Sequence, residues 1–147
     1  MVPMSSDLHT TVAQQLRRTR QRYTLGRRQL VELLAETGRP VTIPDLIESG
    51  AEQSQSSLYR NLAILEQCGT VRRLMSTDDV ARYELAEELS EHHHHLVCSV
   101  CGDIEDVTLP DAVEATLHEA AIDAGRDSDF SVESHRFELV GTCGDCD

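Results

Sequence analysis

The sequence predicts an α+β protein in which a helical first half precedes a second half of short strands and one helix. Apolar residues recur at helical spacing as far as Gly69, and beyond it they occur in short strand-like segments. Two C-x-x-C pairs, Cys98 with Cys101 and Cys143 with Cys146, both lie in the second half. With 39% hydrophobic residues in a chain of 147, there is enough apolar material for one domain or two small ones.

The first two helices are predicted over residues 8–22 and 27–37. Leu8, Val12 and Leu16 recur every fourth residue, which places them on one face of the first helix. The second helix carries an apolar stripe within residues 30–34 and is followed by Gly38, a residue favoured just beyond a helix C-terminus.

Two further helices are indicated by their capping residues. Thr42 followed by Asp45 is a capping-box pattern for a third helix, which ends at Gly50. Ser54 can cap a fourth helix that continues to residue 68, where Gly69 suits its C-terminus.

A two-stranded hairpin is predicted next, with strands at residues 71–75 and 81–85. Helices followed by such a hairpin are the outline of a winged helix-turn-helix, which places one helix in the major groove of DNA. The acidic segment of residues 84–91 would connect this first domain, residues 1–86, to a second domain, residues 87–147.

The second domain alternates between strand and helix. Residues 96–98, 104–109 and 131–140 are predicted strands, and a helix is expected over residues 111–124, after Pro110. A three-stranded sheet with one helix follows from this order.

Charge is distributed unevenly along the chain. Residues 1–76 carry ten Arg and seven acidic residues, residues 77–147 carry three Arg and nineteen acidic residues, and Lys is absent. The asymmetry suits a DNA-facing module joined to an acidic metal-binding or oligomerising module. Two solvated surfaces of different composition would produce the same asymmetry.

Polar residues at the start of the fourth helix are candidates for DNA contacts. Side chains of Ser, Tyr and Arg donate hydrogen bonds to phosphate oxygens, and Arg also recognises guanine. A solvated helix N-terminus is the alternative. The candidates are Ser54, Gln55, Ser56, Ser57, Tyr59 and Arg60.

The two C-x-x-C pairs supply four thiolates, a full tetrahedral shell for structural zinc. The N-terminus lacks a signal-peptide pattern, and no apolar run is long enough to span a membrane. A cytoplasmic protein with reduced thiols is therefore expected, which favours zinc over disulfides. A redox-active C-x-x-C remains the alternative for either pair.

Four consecutive histidines precede the first cysteine pair. Because strand side chains alternate between faces, His92 and His94 would face one way and His93 and His95 the other. Two half-sites for metal are predicted, with a purification tag or a solvated histidine tract as the alternatives. Candidates for the remaining ligands are Glu84, Glu114 and His135, the last placed in the final strand.

Three other side chains have no evident metal partner. His9 and His118 are expected at the surface, whereas Cys68 is expected to be a small buried side chain.

Several motifs together resemble the ferric uptake regulator family of metal-sensing repressors, over residues 12–146. Arg22, Thr24 and Arg27 look like the family's N-terminal R-x-T-x-x-R element. The resemblance implies a winged helix, an α/β dimerisation domain, and a homodimer on double-stranded operator DNA with an inverted repeat. The motifs are Ser57-Leu58-Tyr59-Arg60-Asn61-Leu62, Ala81-Arg82-Tyr83-Glu84-Leu85, His92 through Gly102, Ser134-His135 and Gly141-Thr142-Cys143.

The resemblance also implies three metal sites and a DNA-binding set. The structural zinc site matches Cys98, Cys101, Cys143 and Cys146; the dimerisation-domain site matches His92, His94, Glu114 and His135; the sensing site matches Glu84, His93 and His95. The DNA-binding set is Arg22, Thr24, Arg27, Ser56, Ser57, Tyr59 and Arg60.

The sensing site departs from its relatives and has no assigned fourth ligand. Iron-sensing members supply a His before the third helix, where this chain has Arg39-Pro40-Val41. Zinc-sensing relatives place an Asp at the start of the hairpin, where this chain has Arg72, and a Cys before the histidines, where it has residues 86–89. The missing His also argues against a peroxide sensor.

The expected function is a metal-dependent transcriptional repressor with structural zinc. Zinc is the first choice for the regulatory ion, with iron(II) and manganese(II) as alternatives. A zinc hydrolase would need an open coordination position and a general base, and the sequence has no H-E-x-x-H motif. A zinc-buffering dimer would bind metal but no operator.

Overall fold

The computed structural model describes residues 5–147. Across these residues the chain forms, in order, α1 (Ser5–Arg18), α2 (Leu25–Thr37), α3 (Ile43–Glu48), α4 (Gln55–Gln67), β1 (Val71–Met75), β2 (Ala81–Leu85), a 3₁₀ turn (Glu87–Leu89), β3 (His94–Cys98), β4 (Ile104–Val107), α5 (Asp111–Asp127) and β5 (Glu138–Gly141).

The first four helices and the β1–β2 hairpin share one hydrophobic core. Each helix contributes one apolar face, as the sequence periodicity predicts. The fully buried members are Val12, Leu16, Leu30, Val31, Leu46, Leu58, Leu62 and Leu65.

The predicted helix caps are formed. Thr42 and Asp45 make a reciprocal capping box at the start of α3, and Ser54 accepts a hydrogen bond from Ser57 N at the start of α4. Gly38 ends α2 in the left-handed region, with φ of 64°, which a residue without Cβ adopts without strain.

The β1–β2 hairpin is antiparallel and pairs Arg72 with Glu84 directly across the strands. A bridge from Val41 to Tyr83 ties the hairpin to the segment between α2 and α3. This arrangement of helices and hairpin is a winged helix-turn-helix, which confirms the predicted fold of the first half.

The second half contains a three-stranded sheet in the order β4-β3-β5, as predicted. Strand β3 is antiparallel to β4, pairing His95 with Asp106, and parallel to β5, pairing His95 with Glu138. Helix α5 and β5 are largely exposed, and their neighbourhood presents several uncovered apolar side chains. These are Val113, Phe130, Phe137, Leu139 and Val140.

The tip of the hairpin packs onto the loop between Cys98 and Gly102. Ser76 Oγ donates to Gly102 O at 2.5 Å, and Thr77 Oγ1 donates to Cys98 O at 2.6 Å. Asp78 lies against Gly102, whose φ of 79° and absent Cβ leave room for its carboxylate. The wing is therefore in direct contact with the first cysteine pair.

Arg82 is a buried residue that stabilises the conformation of the hairpin tip. Its guanidinium donates to both carboxylate oxygens of Asp78 at 2.8 and 3.0 Å. The hydrogen bond from Arg82 lowers the pKa of Asp78 from its ordinary value. Asp103 lies 3.8 Å from the same guanidinium, so the contact continues into the second half.

Several predicted boundaries differ from the observed ones, and the largest differences are in the first helix and the last strand. The first helix ends at Arg18 rather than residue 22, because Arg20 has a φ of 59° and Gln21 N bonds back to Leu16 O. The last strand covers only Glu138–Gly141 rather than residues 131–140, because its partner β3 begins at His94 and offers no ladder further back.

Two side-chain expectations also need correction. His9 is buried rather than exposed, because its Nδ1 meets Tyr23 Oη at 2.6 Å and its Nε2 lies 3.1 Å from Glu32. Cys68 is only half-buried, with Sγ 2.9 Å from Thr19 Oγ1. His118 is exposed, as predicted.

Candidate metal centres

The four cysteines of the two C-x-x-C pairs meet at one end of the sheet. Cys98 ends β3 and Cys143 follows β5, so the parallel pairing of these strands brings the two pairs together. All four Sγ atoms lie within 4.8 Å of one another, and no disulfide joins any of the cysteines in residues 5–147. The set has the donor type and number of a closed tetrahedral zinc site.

The surroundings of the thiols shift their pKa values in opposite directions. Backbone N–H groups of Cys101, Cys143 and Val100 lower the pKa of the Cys98 thiol to about 6. Hydrogen bonding to Cys143 raises the pKa of Cys146 to about 12. Four thiols this close do not all ionise readily, because neighbouring thiolates repel each other. A bound cation removes this repulsion, as expected for a metal-binding set of cysteines.

A second cluster surrounds Glu114 in the first turn of α5. His94 Nε2 lies 2.6 Å from Glu114 Oε1, and the Nε2 atoms of His92 and His135 each lie 3.2 Å from Oε2. His94 is fully buried, whereas His92 also contacts Glu87. The structure brings together all four residues that the sequence assigned to the dimerisation-domain site, although His135 lies before β5 rather than in a strand.

A third cluster, here called the hinge cluster, comprises Glu84, His93, His95 and Asp106. The Nε2 atoms of His93 and His95 lie 3.1 and 3.2 Å from Glu84 Oε2. The same two nitrogen atoms lie 3.6 Å from the Asp106 carboxylate. Glu84 belongs to β2 of the winged helix, while His95 and Asp106 belong to β3 and β4, so the cluster joins the two halves of the chain.

Opposite charges within the hinge cluster stabilise each other. Burial alone would raise the pKa of Glu84, but hydrogen bonds from His93, His95 and Arg72 outweigh it and hold that pKa well below its usual range. The hydrogen bond to Glu84 raises the pKa of His93 to about 9. Burial raises the pKa of Asp106. His93 and Arg72 supply positive charge beside the buried carboxylate of Glu84.

Asp106 is the residue of the hinge cluster that the sequence did not indicate. It faces His95 across the β3–β4 pair, a position that depends on strand register. The sequence suggests that two strands occur here, but it does not say which residues oppose each other. Asp106 is therefore a candidate for the unassigned fourth ligand.

The hinge cluster opens into a cleft of about 550 Å³ between the winged helix and the second half. Glu84, His93 and Asp106 line this cleft together with Leu8 and Leu34. Three of the four residues of the hinge cluster therefore border the cleft.

The predicted DNA contacts fall into two groups in the structure. Ser56, Tyr59 and Arg60 are exposed on α4, opposite its buried leucines, and Arg60 donates to the half-buried Ser57 at 3.3 Å. This face is free to approach a ligand.

The second group lies at the start of α2. Arg22 is exposed, whereas Thr24 caps α2 and Arg27 donates from Nε to Asn61 Oδ1 at 3.1 Å. Arg27 therefore links α2 to α4, and Thr24 stabilises the start of α2.

The comparisons with known proteins agree on one family. The model of the ferric uptake regulator family matches residues 17–140. A ferric uptake regulation protein from Bordetella parapertussis is 35% identical over 101 residues, covering 69% of this chain and 68% of that protein. The chain spans 57 to 68% of the length of the first curated relatives it matches.

Solved structures show the same fold along nearly the whole chain. The Helicobacter pylori ferric uptake regulator, described as having three functional metal-binding sites, superposes with a TM-score of 0.76 at 22% identity, over 99% of this chain and 95% of that one. A zinc-bound manganese uptake regulator superposes with a TM-score of 0.63 at 26% identity, over 96% and 99%. The chain belongs to the ferric uptake regulator family, whose members are metal-responsive, DNA-binding transcriptional regulators.

Proposed function

We propose that this protein is a metal-dependent transcriptional repressor whose regulatory ion binds the hinge cluster, with zinc as the ion. The observation that carries this proposal is the position of the cluster. Glu84 comes from the winged helix, and His95 and Asp106 come from the sheet of the second half. An ion shared by these donors links the orientation of the wing to the rest of the molecule.

The donor atoms of the hinge cluster suit a divalent cation. Two imidazole nitrogens and two carboxylates, all within 4.8 Å, are ligands that zinc accepts in tetrahedral sites. When bound, the ion supplies a double positive charge and a fixed coordination geometry. Imidazole and carboxylate ligands do not exclude iron(II) or manganese(II). The choice of zinc therefore rests on the small number of donors rather than on the softness of the donor atoms.

Regulation would follow from the difference between two conformations. His93 and His95 can approach Glu84 closely only when the winged helix and the sheet keep this arrangement. A ligand shifts a conformational equilibrium by the ratio of its affinities for the two states. The form that binds the ion more tightly is then the form with the higher affinity for operator DNA.

The other two clusters have supporting roles in this proposal. Cys98, Cys101, Cys143 and Cys146 hold structural zinc, and His92, His94, Glu114 and His135 hold an ion within the dimerisation domain. The domains are residues 1–86 and 87–147. Exposed apolar side chains around α5 and β5 support a homodimer, because a patch of this kind is usually covered by a partner.

DNA binding is assigned to the exposed face of α4 with the Arg22 region. A homodimer would present two such helices, related by two-fold symmetry, to an inverted repeat. The protein acts in the cytoplasm, where DNA is present and thiols stay reduced. No helix within residues 5–147 has the length and apolar character needed to cross a membrane.

A mobility-shift assay on the protein's own promoter tests the proposal. The protein, with its thiolate zinc retained, is treated with a mild chelator and then titrated with zinc(II), iron(II) or manganese(II). Zinc should restore binding at the lowest free concentration. DNA binding that is the same with and without each metal would contradict the proposed mechanism.

The hinge assignment is tested with the double variant His93→Ala/His95→Ala. It should lose metal-responsive DNA binding, while His118→Ala, an exposed histidine outside the three clusters, should behave as wild type. A double variant that still responds to zinc would show that the regulatory ion binds elsewhere.

Two other functions give different results in the same assays. A zinc-buffering dimer would bind metal at these clusters without retarding any promoter fragment. A zinc hydrolase would show hydrolysis that depends on His93, but the hinge cluster has no H-E-x-x-H helix to present a general base.

A further inference from the structure

Two polar side chains outside the proposed DNA-binding set, those of Gln53 and Asn61, form a hydrogen-bond network between α2 and α4. Gln53 precedes α4 and Asn61 lies within it, and both residues are half-buried. The network begins at the Arg27 guanidinium, whose Nε donates to Asn61 Oδ1 at 3.1 Å. Asn61 Nδ2 donates to Gln53 Oε1 at 2.6 Å, and Gln53 Nε2 donates to Gly26 O at 2.7 Å.

The two ends of the network determine how both amides are oriented. The Nε of an arginine only donates, and a backbone carbonyl only accepts. Asn61 therefore directs its oxygen to Arg27 and its nitrogen to Gln53, which in turn directs its own nitrogen to Gly26 O. Because Gly26 and Arg27 are neighbours, the network is a closed ring that joins the start of α2 to α4.

Gly26 leaves the space that the Gln53 amide occupies. A Cβ at position 26 would lie 3.1 Å from Cδ and from Nε2 of Gln53, which is closer than side chains ordinarily pack. Glycine is an unfavourable residue within a helix, and Gly26 is the second residue of α2. The start of α2 thus has a residue of low helix propensity at the position where Gln53 requires the space.

The ring is connected to Arg22 through Arg27. Nη1 of Arg27 donates to Arg22 O at 2.5 Å. Arg22 lies within residues 19–24, which separate α1 from α2 and belong to no helix or strand. The position of its backbone therefore depends on side-chain bonds such as this one rather than on a regular ladder. The side chain of Arg22 is exposed, beside a backbone that Arg27 links to α4.

We propose that Gln53 and Asn61 position Arg22 relative to the exposed face of α4, so that both contact one DNA duplex at the same time. The inference rests on the proposed function, which assigns Arg22 and this face to DNA. Two groups bind a rigid partner together at a lower entropic cost when their spacing is fixed beforehand. Gln53 and Asn61 are positioning residues, because they act on Arg22 through Arg27.

The test compares Asn61→Leu and Gln53→Met with Gln67→Leu in the full-length, zinc-loaded protein. Leucine has nearly the shape of asparagine, and methionine has nearly the length of glutamine, but neither forms these hydrogen bonds. Gln67 is the matched control, because it is an exposed amide at the last position of the same helix. None of the three substitutions changes the charge of the protein.

Fluorescence anisotropy measures binding to the promoter fragment and to an unrelated duplex at several salt concentrations. Asn61→Leu and Gln53→Met should each lower the affinity for both duplexes about tenfold, as for loss of one hydrogen bond to a charged group. The plot of log affinity against log salt concentration should become less steep by about 0.9, the value for one phosphate contact. A substitution that removes no charge changes this slope only when a charged group elsewhere loses its phosphate. Gln67→Leu should match wild type.

The double variant Arg22→Ala/Asn61→Leu identifies the residue through which Asn61 acts. Arg22→Ala alone should lower both the affinity and the slope, and adding Asn61→Leu should cause little further loss, because both changes remove the same contact. Circular dichroism confirms that each variant is folded. Gln53→Met, which lies outside α4, provides the same comparison if Asn61→Leu does not fold.

Two results would overturn the inference while leaving the DNA interface in place. One is a lower affinity of Asn61→Leu with an unchanged salt slope, which would show that Asn61 only stabilises the fold. The other is an additive loss in the double variant, which would show that Asn61 acts independently of Arg22. If Arg22→Ala binds both duplexes as wild type does, the assignment of Arg22 to DNA fails, and the inference fails with it.

Discussion

His9 is a buried polar residue whose partners come from distant parts of the sequence. His9 in α1 hydrogen-bonds to Tyr23 in the segment before α2, and its Nε2 lies 3.1 Å from a carboxylate oxygen of Glu32 in α2. The sequence offered no reason to connect residues so far apart, so His9 was expected at the surface. Burial of polar residues depends on tertiary contacts, which a single sequence pattern does not encode.

The phenol of Tyr23 should make the stability of the protein sensitive to alkaline pH. Burial raises its pKa from 10.0 to about 12. Because the folded pKa exceeds the unfolded value, the stabilisation is complete below pH 10 and is lost as the pH rises to about 12. Wild type should therefore lose urea stability over this range more steeply than Tyr23→Phe. If urea stability falls equally with pH in wild type and in Tyr23→Phe, the pH dependence does not come from Tyr23.

The candidate ligands illustrate what residue types and spacing can predict. Four cysteines in two C-x-x-C pairs and alternating histidines define donor chemistry, and the structure groups them as the sequence suggested. Asp106 was missed because an isolated aspartate in an acidic segment has no distinguishing spacing. Only the register of β3 against β4 places it beside His95.

At the scale of elements, helix α4 has the clearest division between two faces. Leu58, Leu62 and Leu65 are fully buried, while Tyr59 and Arg60 are exposed. Periodicity and the Ser54 cap predicted this helix closely, because both signals are local. The exposed face therefore has no packing role that would account for its polar residues.

Arg60→Ala should weaken operator binding without unfolding the protein. Loss of one arginine that reaches a base edge typically costs about 1–3 kcal/mol and relaxes specificity at that position. Fluorescence anisotropy with operator and with unrelated DNA would measure both effects. Arg126→Ala, on exposed α5, serves as the control with the same loss of charge. Equal affinities for Arg60→Ala and wild type would place the DNA interface elsewhere.

The hairpin strands have their predicted bounds, whereas the last strand is much shorter than predicted, because its pairing is with a strand far away in the sequence. The segment of residues 131–140 contains alternating residues, yet only Glu138–Gly141 finds a partner in β3. Strand propensity marks a segment that can pair, and the length of the partner decides how much of it does. His135 consequently reaches Glu114 from a loop.

For the molecule as a whole, the thiolate cluster closes the second half. Its four sulfur atoms, the proposed zinc ligands, come from the end of β3, the following loop and the segment after β5. Metal binding and folding are coupled in sites of this kind, because the unfolded chain has no preformed shell. The small sheet has little buried apolar surface to hold it otherwise, since β5 is exposed along its length.

Removal of the thiolate zinc should therefore unfold the second half and spare the first. A strong chelator at elevated temperature, or the variant Cys98→Ser, should abolish dimers in size-exclusion chromatography. The helical circular dichroism of α1 to α4 should largely persist, because their core contains no metal ligand. Dimers that survive complete zinc removal would contradict a structural role for the site. Cys68→Ser, outside the cluster, is the matched control.

Hairpin tips are usually where a protein chain tolerates an added segment, such as an epitope or a cleavage sequence. The tip at residues 76–78 is different, because Ser76 and Thr77 bond to backbone carbonyls of the first cysteine loop and Asp78 fills the space beside Gly102. A segment inserted there would separate the wing from that loop. The tip of this hairpin is therefore a poor position for an added segment.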